Sequence, residues 1–152
     1  MTARASSKRG LRAVKFSVET SIILLFLQIL LGMWVNLFAS FPNPTSGVNP
    51  IDLIFNEGPF PLTLHFFVGI LLGVLSIALL AAAVVMKDRR FIVLGSAALG
   101  SVLLAGESGI EFVLGWYQEN IYSYMMTVGF VLLVAVYVWA GRQMREWYPP
   151  AN

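Results

Sequence analysis

Four long stretches of the chain carry almost no charge. They cover about residues 16–41, 62–86, 91–117 and 121–141, and each is long enough to cross a bilayer as a helix. The segments between them break helices. Pro42, Pro44, Gly47 and Pro50 end the first run. Ile51 to Phe55 reads as a short interfacial turn or helix, and Pro59 and Pro61 launch the second run with proline in its first turn. Lys87-Asp88-Arg89-Arg90 is a tight turn, so the second and third runs are antiparallel neighbours. Gln118-Glu119-Asn120 does the same for the third and fourth. The pattern predicts an all-α membrane protein. A basic tail (1–15) leads into a four-helix, up-down-up-down transmembrane domain (16–141) with an outer loop at 42–61, and a second tail (142–152) follows, leaving the membrane through an aromatic and basic anchor at Trp147 and Tyr148.

Composition agrees. Only 12% of the residues are charged and 58% are hydrophobic, against about 25% charged in a soluble domain. Lipid must therefore be the solvent. The first apolar run is too long for the core of a signal peptide, so it reads as a retained span behind a disordered start and a basic helical turn at the membrane surface. With no cysteine there are no disulfides, thiolate metal sites or Cys-held clusters.

Charge adds an orientation. All ten Lys and Arg residues lie in the N-terminal tail, the Lys87–Arg90 turn and the C-terminal tail, while the other two connections carry only Asp52, Glu57 and Glu119. The positive-inside rule then predicts a multi-pass protein of the cell (cytoplasmic) membrane with both termini in the cytoplasm. Basic residues placed as topology signals do not point to nucleic acid. The expected partners are the lipid bilayer and either other membrane subunits or further copies of this chain.

The polar residues inside the runs gather toward the outer half. Gln28, Gly32 and Asn36 form one stripe by their spacing; His65, Gly69 and Gly73 form another; Gly100, Leu104, Glu107 and Glu111 a third. Each is expected to face the interior, with Asn36, His65 and Glu111 level and Ser123, Met126 and Thr127 in the same layer. Gln28, Asn36, Glu107, Glu111 and Ser123 make up the expected polar cluster. The glycines serve close helix packing or leave room for a flat cofactor. An ionised acid near mid-helix costs about 2.5–3.5 kcal/mol, so Glu107 and Glu111 each need a partner, a proton or water.

His65, the only histidine, has three readings. It is a packed residue bonded to Glu111, Asn36 or a carbonyl. Or it is an axial ligand of haem b, over Gly69 and Gly73, with Met126 (or Met125) as a sixth ligand. Or it joins Glu107 and Glu111 in a metal or proton site.

In the order of its features the chain resembles one four-helix half of the heme A synthase family, and more loosely the four-helix membrane subunits of b-type cytochromes. The residues are Leu27-Gln28 to Gly32, the loop from Pro42 to Pro61, Leu64-His65-Phe66, and Ser123 to Phe130. Gly129 stands where that family has its second histidine, Leu62 or Thr63 where it has an acid, and the loop cysteines are missing. The resemblance therefore implies the architecture and one haem ligand rather than heme A synthesis. The function expected is a non-catalytic, haem-binding or cofactor-free, subunit or assembly helper of a membrane oxidoreductase or respiratory system. A structural subunit of a larger complex, or a metal or proton site at His65–Glu107–Glu111, is the alternative.

Overall fold

The computed structural model describes the backbone of residues 2–41, 49 and 51–147, and the side chains of 10–41, 49 and 51–146. The proline-rich stretch 42–48 and the aromatic anchor expected at Trp147 and Tyr148 lie outside the described side chains. Four long helices, α1 (Thr2–Phe38), α2 (Phe60–Met86), α3 (Arg89–Leu114) and α4 (Asn120–Trp147), make up the chain, with one short π-helical turn at Leu53–Glu57. All four contain a stretch long and apolar enough to span a membrane. The fold is thus the expected all-α, four-helix membrane bundle.

Boundaries shift in two places. α1 begins at Thr2, so the expected basic helical turn is continuous with the span and the start ahead of it is helical rather than disordered, and the helix ends at Phe38 rather than Phe41. α4 runs on past Gly141 to Trp147. Arg and Lys are good helix formers, so a basic flank extends a helix without difficulty.

The helices form a ring. α1 packs on α2 and α4, and α3 packs on α2 and α4. Gly10 of α1 lies against Met86 of α2, and Gly141 of α4 faces Val18 of α1. Neighbours are therefore antiparallel, and the basic segments collect at one end. The core runs through Val14, Val18, Leu25, Leu72, Leu79, Phe91, Leu94, Ala98, Leu133 and Tyr137. Large side chains such as Phe26, Leu30, Ile77, Leu103 and Leu132 are exposed around the outside, the surface a lipid solvent accepts and water does not.

The ends of the helices have local causes. Pro59 caps α2 in extended conformation, and Pro61 falls where an N–H has no helical partner anyway. Lys87 closes α2 at φ 56°, its N–H bonding back to Ala83 and Val84. The side chain of Asp88 accepts the N–H of Arg90 at 3.0 Å and starts α3. After Leu114 the chain turns through Trp116 (φ 57°) and Tyr117 (φ 61°), a left-handed pair costing roughly 1–2 kcal/mol per residue. Ring contacts hold it: Tyr117 stacks on Phe41 at 3.9 Å and meets Phe112 edge-on at 5.5 Å. Burial pushes the Tyr117 phenol up to about 12.

At the same end the π-helical turn covers the start of α2. Leu53 and Ile54 are buried, Thr63 Oγ1 donates to the carbonyl of Ile54 at 2.5 Å, and Phe55 meets Phe66 edge-on at 5.3 Å.

Candidate functional site

His65 is placed by the second turn of α2, and its ring lies over Gly32 of α1. A Cβ on Gly32 would stand 3.0 Å from the ring Cε1 and 3.5 Å from Nδ1. One turn away, Gln28 Nε2 is 3.3 Å from His65 Nε2, and the same amide sits 3.5 Å from where Gly69 would carry a Cβ. The arrangement is reciprocal, with His65 lying over Gly32 and Gln28 over Gly69. Antiparallel helices with four-residue spacing on each produce this interlock. The Gln28 amide donates to Nε2, which leaves the ring proton on Nδ1. His65 Nδ1 and Gln28 Oε1 are both buried without a partner.

The register differs from the expected one. His65 was to lie level with Asn36; it lies against Gly32 and Gln28, one turn lower on α1. The cause is the early end of α1 at Phe38, which shifts the depth scale of that helix by nearly a turn. Asn36 is exposed. Steps of four residues turn a stripe by about 40° each, so a line begun at Gln28 has left the interior face by Asn36. Val35 is the buried residue there.

Glu107 and Glu111 require a larger correction. Both are exposed and point away from the bundle, with Gly100 in open space beside them. The interior face of α3 is instead Phe91, Leu94, Gly95, Ala98, Ser101 and Ser108. The metal or proton site is therefore not assembled. His65 faces α1, the two acids face outward, and among the described residues no three His, Cys, Asp or Glu side chains are grouped to hold a metal ion. Of the polar cluster, Gln28 is the member that bonds to His65. Ser123 is half-buried, and its carbonyl accepts from Thr127 Oγ1 at 3.0 Å.

The residues assigned to haem lie in two different seams. Met126 Sδ packs on Gly109 of α3, 3.3 Å from where a Cβ would be. A haem iron at His65 Nε2 would have to displace the Gln28 amide, which also takes up the room beside Gly69; Gly73 alone faces open space. Gly129, where the resembled family has histidine, is pressed on the backbone of α3. A Cβ there would lie 2.8 Å from Ser101 O and 2.9 Å from Ala105 N. These residues as they lie form helix contacts and not a cradle for a macrocycle.

One buried polar link was not singled out by the pattern of apolar runs. Ser76 Oγ donates to Leu72 O at 2.8 Å and lies 3.0 Å from Tyr137 Oη, so the tyrosine must be the donor of the second bond. It joins α2 to α4 across the ring, where the backbones do not meet closely. The available signal was a tyrosine in the middle of an otherwise aliphatic span, since a buried phenol needs a partner.

Comparison with known protein families, curated proteins and solved structures finds no match to this chain.

Proposed function

We propose that the protein is a non-catalytic subunit or assembly helper of a larger membrane complex, docked through the outer face of α3. The observation behind this is the outward placement of Glu107 and Glu111. Glu107 is seven residues from the end of α3, about 10 Å along the axis, which is too deep for easy hydration. Left in lipid it costs about 2.5–3.5 kcal/mol. A neighbouring protein that supplies a cation or hydrogen-bond donors at that depth removes the cost. Ser96, Ala97 and Gly100 continue the same exposed face and let a partner helix approach closely.

A different protein fits better than a second copy. A symmetric contact would set Glu107 against Glu107, and like charges repel. The resemblance to the heme A synthase layout makes a membrane oxidoreductase system the first class of complex to test.

Mild detergent extraction followed by native electrophoresis is the test. Wild-type protein should run in a complex well above its own mass, and Glu107→Leu should run as the free chain with helicity intact. Wild-type protein running as a monomer, or Glu107→Leu keeping the full complex, would overturn the proposal.

A further inference from the structure

At the basic end of the bundle a groove of about 430 Å³ opens between the start of α3 and the end of α4. That volume is within the ~300–1,000 Å³ range of small-ligand sites. It is lined by Arg89, Arg90, Val93, Leu94, Trp139 and Gln143, and its wall is apolar, so the arginines line it with their stems and carry their charge beyond it. Val93 and Trp139 are 67% and 60% exposed, so the wall faces outward into lipid. The stretches that build the groove, 87–94 and 139–146, hold five basic side chains (Lys87, Arg89, Arg90, Arg142, Arg145) against Asp88 and Glu146. The carboxylate of Asp88 is turned to the N–H of Arg90 as the helix cap.

We propose that this groove binds an anionic phospholipid of the surrounding bilayer, with its phosphate at Arg89 and Arg90 and an acyl chain along Val93 and Trp139. Two features of the groove support this. The groove lies where the third candidate span begins and the fourth ends, the depth at which exposed arginines meet a layer of lipid phosphates. The apolar wall continues from those cations toward the hydrocarbon, the shape of a headgroup joined to a chain. Guanidinium groups pair with phosphate oxygens two bonds at a time, which favours Arg over Lys at such a rim. This site is separate from the Glu107 face and does not depend on the docking reading.

The test reconstitutes the full chain in vesicles of equal parts phosphatidylcholine and phosphatidylglycerol and counts retained lipids by native mass spectrometry. Wild-type protein should retain phosphatidylglycerol in preference to phosphatidylcholine. Arg89→Gln should cut that preference about fivefold, the effect of one surface cation. Trp139→Ala should lower retention of both lipids, and Arg12→Gln, on an exposed basic position of α1 outside the groove, should cut the preference clearly less than Arg89→Gln. Arg89→Ala, with a strong helix former at that position, is a second variant, should Arg89→Gln lose helicity, and it too should lower the preference. Retention of the two lipids in the bilayer's own ratio, or an equal loss in Arg12→Gln and Arg89→Gln, would overturn the proposal.

Discussion

His65 is bonded to Gln28 while its other ring nitrogen, and the other end of the Gln28 amide, lie buried and unpaired. The energetic sign of such a pair depends on what is removed. Taking away one member leaves the other without any partner, at about 1–3 kcal/mol. Taking away both, with apolar side chains that still fill the seam over Gly32 and Gly69, is close to neutral. Gln28→Leu and His65→Leu should each destabilise the bundle, and the double variant should be near wild type. Unfolding in mixed micelles, followed by helicity, measures this. A double variant as unstable as the sum of the singles would show that the interlock rests on something other than this polar pair. The sequence made His65 legible as a residue in need of a partner, and Gln28 legible as lying on the same stripe as Gly32. Which residue of α1 it meets was not legible, because that depends on where α1 ends.

Between helices the contacts are set by small residues more than by apolar ones. Gly95 of α3 meets the backbone of α2 at Leu80, and Gly129 of α4 meets the backbone of α3 at Ser101 and Ala105. Gly129→Ala would put a methyl group 2.8 Å from Ser101 O, and backbone does not rotate out of the way. The expected cost is about 1–3 kcal/mol. Gly106 on α3 has nothing within 4 Å of its would-be Cβ, so Gly106→Ala should be neutral, or stabilising by up to about 1 kcal/mol through helix propensity. Thermal unfolding of the two variants in the same detergent separates the cases, and equal behaviour would mean that α3 and α4 are not in backbone contact at Gly129. The four helices were readable from the length of the apolar runs, but their inward faces were not. In lipid the outside of a helix is as apolar as the inside, so hydrophobicity carries no direction. Reading Glu107 and Glu111 as interior followed the expectation that ionisable side chains in a membrane helix turn away from lipid. The residues that did mark the interior of α3 are Gly95, Ala98, Ser101 and Ser108, each small, with the serines bonded to their own helix at Ala97 and Leu104.

Over the whole molecule, charge is sorted by end. An antiparallel ring brings the start of α1, the end of α2, the start of α3 and the end of α4 together, and those are the segments that hold all ten Lys and Arg residues. The opposite end carries Asp52, Glu57 and Glu119 and no basic residue. The exposed ion pair Lys15–Glu19 (3.7 Å) lies at the basic end and is worth at most about 0.5 kcal/mol, so the sorting does little for stability. Its physical effect is on insertion, since cationic flanks resist transfer across an energised membrane and are retained on the cytoplasmic side. Both termini and the Lys87–Arg90 turn should therefore be cytoplasmic, and the loop at 42–61 outside. A reporter that is active only inside the cell should work when fused at Asn152, and the same reporter placed within 42–48 should not. Activity of the Asn152 fusion only with an external reporter would reverse the orientation. It would also move the arginine-rimmed groove of α3 and α4 to the outer leaflet, while leaving every contact within the bundle unchanged.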